Sequence, residues 1–284
     1  MNVQELQDKI TELESQIEIW NKFNKNNECS EKIFNTKVEI EKLKERLNIQ
    51  LEEILTKESN GEYDIIIPTH NDITKGLLSG EFSFLTKLLS VSNFTDIEQR
   101  NGVDMEAYIY EKFLKSKIEE LKSQGVKVPS KNTLKKYMKT FENITIDGDN
   151  FHLMNVINTP NGIVYQFKQS YNGKYFITIP SPMLRELILG VNEKTIKLYC
   201  VIARKLQMNN EYKKFTREYL CNGMGINPIE ANLNYISTLL NILKKLGHIK
   251  IKYEWVKVKT DEGYEMQQQI YIRLATYQEW KNKE

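Results

Sequence analysis

The sequence predicts a helix-rich α+β protein in which an N-terminal coiled-coil arm precedes two tandem copies of one unit. Three observations carry that expectation. A heptad-spaced apolar seam opens the chain, two phrases recur in the same order further along, and each recurrence closes in paired alternating runs.

The arm comes first. Val3, Leu6, Ile10, Leu13, Ile17 and Trp20 are spaced alternately by three and four residues, the seam of a coiled coil. After the helix-weak "NKFNKNNECS", a second stripe continues through Ile33, Ile40, Leu43, Leu47, Leu51 and Ile54. Neither stripe can be left in water. Each needs its partner helix, a second chain or the body of the protein, and self-association through residues 1–57 is expected ahead of an internal hairpin alone. "ESNGEY" marks the boundary, with Gly61 ending the helix, so the arm spans 1–59.

The two units follow at 63–172 and 173–284. Setting Tyr63 on Tyr175 aligns "YDIIIPTHNDITKGLLSGEFSFLTKLLSV" with "YFITIPSPMLRELILGVNEKTIKLYCVIA" without a gap. Setting Thr133 on Thr238 aligns "TLKKYMKTFENITI" with "TLLNILKKLGHIKI". The offsets are 112 and 105, so the first copy carries seven extra residues between the blocks. An internal duplication is the expectation.

In the second copy, Asn192–Met208 reads as a helix with Ile196, Tyr199, Cys200 and Ala203 on one face. Thr216 caps the next helix, and Gly223 and Gly225 stop it. The third helix has the core stripe Leu233, Ile236, Leu239, Leu240, Leu243 and Leu246, and ends at Gly247. "HIKIKYEWVKVKT" and "YEMQQQIYIRL" are strands around an acidic-Gly turn. The first copy repeats this with helices at Gly80–Val91 and Asp104–Gln124 and a third helix capped by Ser130. Strands near 151–157 and 163–170 flank its turn "NTPNG". Helix, helix, turn, helix and hairpin make a winged helix-turn-helix, which offers its third helix to the major groove and its hairpin to the backbone.

"FTREYLCNGMGINPIEANLNYISTLLNILKKLGHIKI" resembles the winged-helix core of plasmid and phage replication initiators of low-GC bacteria. The resemblance covers about 63–274. It implies a DNA-binding protein that acts in replication on repeated origin sequences, with host replication proteins as further partners. Transcription regulators share the same core, and the N-terminal coiled coil departs from those initiators.

Charge points the same way. The net charge is only +2, but residues 1–60 hold −4, 61–173 hold −1 and 174–284 hold +7. Nine lysines crowd into 112–139 against Glu119 and Glu120. Basic charge gathered in two places suits a polyanionic partner. Enzyme chemistry finds little support. His70, His152 and His248 are far apart, no nucleotide, nucleophile-elbow or zinc-protease motif occurs, and Asp147, Gly148 and Asp149 read as a turn. No catalytic residue, metal or cofactor is therefore expected. Three cysteines without CxxC spacing, no signal-peptide pattern and no long apolar run lead to the expectation of a cytoplasmic chain with no membrane partner.

The expected contacts with double-stranded DNA follow from removing each core stripe. On the second copy's third helix they are Asn232, Asn234, Tyr235, Thr238, Asn241 and Lys245. Asn amides read adenine edges, while hydroxyls reach bases or phosphates. Lys250, Lys252, Lys257 and Lys259 are expected on one face of the hairpin, meeting phosphates. In the first copy Ser130, Lys131, Asn132, Lys135, Lys136 and Lys139 oppose Leu134, Tyr137, Met138 and Phe141, and supply mainly backbone affinity. A transcriptional regulator or partition protein would use the same groove chemistry. An interaction module would instead use winged helices as packing domains and the coiled coil as its working surface.

Overall fold

The computed structural model describes residues 3–23, 29–56, 64–99, 102–146, 152–171, 174–206, 211–260 and 263–283. Two long helices, α1 (Val3–Phe23) and α2 (Ser30–Thr56), form the arm. The first unit then runs β1 (Asp64–Pro68), α3 (Asn71–Gly76), α4 (Ser79–Leu89), β2 (Asn93–Gln99), β3 (Gly102–Tyr110), α5 (Glu111–Ser123), α6 (Lys131–Asn143), β4 (Met154–Thr159) and β5 (Gly162–Lys168). The second runs β6 (Phe176–Pro180), α7 (Ser181–Gly190), α8 (Glu193–Leu206), β7 (Lys213–Phe215), α9 (Arg217–Gly223), α10 (Glu230–Lys245), β8 (Ile249–Thr260), β9 (Gly263–Leu274) and α11 (Tyr277–Lys281). The protein is thus helix-rich α+β with small antiparallel sheets. No described helix is long and apolar enough to cross a membrane.

The two units match element for element, apart from β2 in the first and α11 after the second. In each, the hairpin's return strand lies at the centre of its sheet. It pairs on one side with the hairpin's outgoing strand and on the other with the strand ahead of the last two helices: β3-β5-β4 and β7-β9-β8. The helix starts are set by the residues expected to set them. The Ser130 hydroxyl accepts from Thr133 N at 3.4 Å and the Thr216 hydroxyl from Tyr219 N at 3.1 Å.

The repeated opening strands pair with each other. β1 and β6 run antiparallel with Ile66 opposite Thr178, Asp64 opposite Pro180 and Pro68 opposite Phe176. Ile66 and Thr178 are counterparts in the gapless alignment, so this ladder is self-complementary, as a two-fold axis requires. The counterpart helices α4 and α8 also pack together, and one continuous core spans both units. Lys197 is buried at the seam and donates to Leu77 O (2.6 Å) and Met224 O (2.8 Å). Burial brings its pKa down to about 8.

Two expectations change. The helix expected over Asp104–Gln124 is strand up to Tyr110 and helix only from Glu111. The strand was concealed because both its faces are buried: Ala107 and Ile109 enter the main core, while Tyr108 and Tyr110 face the arm. A doubly buried strand shows no alternation, and its run joins the amphipathic pattern of α5. The seven extra residues of the first copy fall in this region, where β2 and β3 form a hairpin that the second copy lacks.

The second change concerns the arm. Leu6, Ile10, Leu13, Ile40, Leu43 and Leu47 are buried within this chain, between α1, α2 and the outer face of the β3-β5-β4 sheet. Lys44 Nζ reaches Glu14 at 2.9 Å across the helix pair. The middle of the seam that prompts the expectation of self-association is therefore covered within the chain, while Ile17 and Trp20 are half-buried. Gly61 and the segment Asp147, Gly148 and Asp149 lie outside the described residues.

α11 locks the second unit. Arg273 holds Glu279 through two bonds of 2.8 and 2.6 Å, which draws the Glu279 carboxyl down to about 2. Trp280 Nε1 (2.5 Å) and Lys283 Nζ (2.6 Å) both donate to Glu186. His248 is buried beside them, its Nε2 3.0 Å from Glu186, and burial brings its pKa down to about 4 against the pull of that carboxylate. The unfolded chain binds this proton near the ordinary value of about 6.5, and the folded chain refuses it until about pH 4. Stability is therefore expected to fall as pH drops from about 6.5 to about 4. Urea midpoints across that range check this, and His248→Gln is expected to flatten the slope.

Candidate nucleic-acid interface

α10 begins after the α9–α10 turn, where Gly225 takes φ +71° and Ile226 N bonds Cys221 O at 3.0 Å. Ile236, Leu239, Leu240 and Leu243 are buried against the core. That choice of face decides what remains outside. Asn234, Thr238, Asn241 and Lys245 are exposed at spacings of four, three and four, so they form one stripe along the helix. Asn232 and Tyr235, expected on the same surface, are half-buried and engaged within the chain. Asn232 Nδ2 donates to Asn227 O at 2.9 Å, and Lys194 Nζ sits 4.8 Å over the Tyr235 ring.

α6 is the counterpart of α10 in the first unit. Lys131, Asn132, Lys135, Lys136 and Lys139 are exposed along it, and Ser130 is exposed at its cap. Among the described residues, none of these lysines lies within ion-pair distance of a carboxylate. On α5, by contrast, Lys117 and Lys122 pair with Glu120 and Glu119. Unpaired cations on α6 leave its charge available to an outside anion.

Both helices abut the start of α8. The Tyr137 hydroxyl and the Glu193 carboxylate converge on Gly80, where a Cβ would lie 2.7 and 3.1 Å from them. Burial, then Glu193, raises the Tyr137 pKa. Beside this point a cleft is lined by Lys87, Lys127, Lys194, Asn192 and Tyr235. Lys87 Nζ donates to Lys127 O at 3.0 Å, and burial lowers its pKa.

The hairpin corrects one expectation. β8 and β9 pair without a bulge from Ile249–Leu274 to Thr260–Gly263. Side chains alternate strictly along such a strand, and the step from Lys252 to Lys257 is odd. Lys250 and Lys252 therefore lie on one face and Lys257 and Lys259 on the other. Lys252 is held by Glu254 at 2.5 Å on its own face, and Lys257 Nζ lies 4.7 Å over the Tyr264 ring on the opposite one.

The two hairpins differ in access. The outer face of the first is sheathed by α1 and α2, whereas the second projects with Trp255, Tyr264 and Met266 bare. These three and Tyr253 were absent from the expected contacts, although two aromatic residues and then two lysines at every second position of "YEWVKVK" are legible in the sequence. Comparison with known protein families and with curated proteins finds no family model and no relative that matches the chain.

Proposed function

We propose that the chain is a non-enzymatic, sequence-specific binder of double-stranded DNA, built from two winged helix-turn-helix units and an N-terminal helical arm. The observation that carries this reading is the bare stripe Asn234, Thr238, Asn241 and Lys245 on α10, beside a long uncovered hairpin. Amides and a hydroxyl on one helix face are the groups that read base edges, and lysines on the hairpin suit phosphates. α6 would add backbone affinity through Lys131, Lys135, Lys136 and Lys139. The resemblance to replication initiators favours a role at repeated origin sequences, and a regulator or partition protein would use the same contacts. Self-association through residues 1–57 would have to use outer faces, where Ile19, Phe34, Val38 and Ile49 are exposed.

The test separates two kinds of contact. Asn234→Ala is expected to cost about 1–3 kcal/mol on the correct duplex and to relax preference at one base pair. Lys257→Ala is expected to weaken all duplexes alike and to reduce the salt slope by about one ion. Fluorescence anisotropy on specific and scrambled duplexes at several salt concentrations measures both. Absence of salt-dependent duplex binding by the wild type would end this reading in favour of an interaction module. An equal loss on both duplexes for Asn234→Ala would move the reading site off α10.

A further inference from the structure

The β8–β9 hairpin carries more apolar surface than its fold uses. At its base, Ile249, Ile272 and Leu274 are buried in the core, with Ile251 and Ile270 half-buried beside them. In the observed register Ile251 faces Ile272, Tyr253 faces Ile270, Trp255 faces Gln268, Lys257 faces Met266 and Lys259 faces Tyr264. All of these side chains share one face, because directly opposed residues point the same way. That face runs out of the core and continues past the helices that cover its base.

Beyond the base the face is bare. Trp255 is 64% exposed, Tyr264 65%, Met266 58% and Tyr253 46%. Its charges within the described strands are Lys257 and Lys259, both positive. The acids of the two strands, Glu254 and Glu265, lie on the other face, where Glu254 already holds Lys252. Trp255, Tyr264, Met266, Lys257 and Lys259 thus share a side that carries no carboxylate within the described strands, whereas Glu254 and Glu265 lie on the other side with Lys250, Lys252 and Arg273. Packing gives no reason for this, since among the described residues nothing covers the outer part of either face.

Phosphate contact alone needs lysines, not a tryptophan and two tyrosines. Ring faces are matched by other ring faces, and in a duplex the base faces are hidden in the stack. They become available when a strand is unpaired. Tyr253 and Trp255, two residues apart on one strand, are separated by about 7 Å. That is roughly twice the 3.4 Å rise between stacked bases, the gap needed for a ring to enter between two of them. Positive charge beside aromatic stacking surfaces is the combination by which proteins hold single strands without reading sequence.

We infer that this hairpin face, built of Tyr253, Trp255, Tyr264 and Met266 with Lys257 and Lys259, is a stacking platform for unpaired nucleic acid. It uses a different ligand from the duplex site and shares only Lys257 and Lys259 with it. A protein that binds duplex through α10 and an unpaired strand through this face could hold both sides of a locally opened site.

The probe is an oligothymidylate of roughly fifteen nucleotides, compared with an abasic strand of the same length and with duplex. Trp255 is one of three tryptophans, so stacking on it is read as quenching of intrinsic fluorescence. The expected result is quenching by oligothymidylate and tighter binding to it than to the abasic strand. Trp255→Ala is expected to weaken oligothymidylate binding by about five- to a hundredfold with duplex affinity unchanged. Trp255→Phe is expected to keep the binding and lose the quenching. Equal affinity for the abasic strand would overturn the inference, since phosphates alone would then account for it. So would a parallel loss of duplex and oligothymidylate affinity in Trp255→Ala, which would make the face part of the duplex contact. A fall in mass by light scattering on the same substitution would also overturn it, showing the face to be covered by a second copy of the chain. Loss of duplex binding in the wild type would remove the α10 reading and leave this one standing on its oligothymidylate result.

Discussion

Lys168→Met is expected to lower stability by about 3–5 kcal/mol, because it strips a buried carboxylate of its one ion-pair partner among the described residues. Glu106 and Lys168 are opposed across β3 and β5, both buried, and form an ion pair. Glu106 also accepts from the Tyr108 hydroxyl (2.5 Å) and Gln166 Nε2 (2.8 Å). Burial pushes the Tyr108 pKa up to about 12, so that hydroxyl stays a donor at any working pH. The pair sits on the sheet face that α1 and α2 cover, where Tyr108, Tyr110 and Val164 meet Leu43 and Leu47. Methionine fills nearly the same volume as lysine, so the loss reports charge and not a cavity. Adding Glu106→Gln is expected to restore most of the stability, and a double-mutant cycle in urea isolates the coupling. A cost below about 1 kcal/mol for Lys168→Met would mean that water reaches Glu106 and that the arm does not seal the sheet.

Gly225→Ala is expected to cost about 2–4 kcal/mol through two separate effects. Gly225 takes φ +71° in the α9–α10 turn, a left-handed conformation that alanine adopts only with strain. A Cβ there would also lie 2.6 Å from Lys75 O, with the Cα and C of Lys75 at 3.2 and 3.3 Å. Those are backbone atoms of α3 in the other unit. Relief would need the two units to part at the seam that Lys197 bridges, or α10 to change its angle. Duplex affinity is therefore expected to fall along with stability. Gly190→Ala is the control: it sits at the end of α7 with open space around it and no positive φ, so it is expected to stay within about 0.5 kcal/mol of wild type. A Gly225→Ala cost equal to the control would show that the α9–α10 turn does not need glycine.

Local patterns alone determined a good part of this protein. Ser130 and Thr216 cap their helices, the stripe from Ile236 to Leu243 leaves Asn234, Thr238 and Asn241 outside, and alternating runs pair as β8 and β9. Each rests on spacings of a few residues, where one side chain acts on the backbone beside it. The recurrence of "YDIIIP" and "YFITIP" was equally legible, but not that the two strands pair with each other about a common centre at Ile66 and Thr178. Tertiary structure alone decided the rest. β3 is a strand because Ala107 and Ile109 meet the main core while Tyr108 and Tyr110 meet the arm, and no local period announces a strand buried from both sides. The arm's buried stripe residues find their cover within the chain because the sheet of the first unit presents Tyr108, Tyr110, Ile157 and Val164 to them. Only the unbroken register of β8 with β9 set Lys257 opposite Met266, and Lys259 opposite Tyr264. Such pairings join residues distant in sequence, and their free energy comes from surfaces that exist only once both partners have folded.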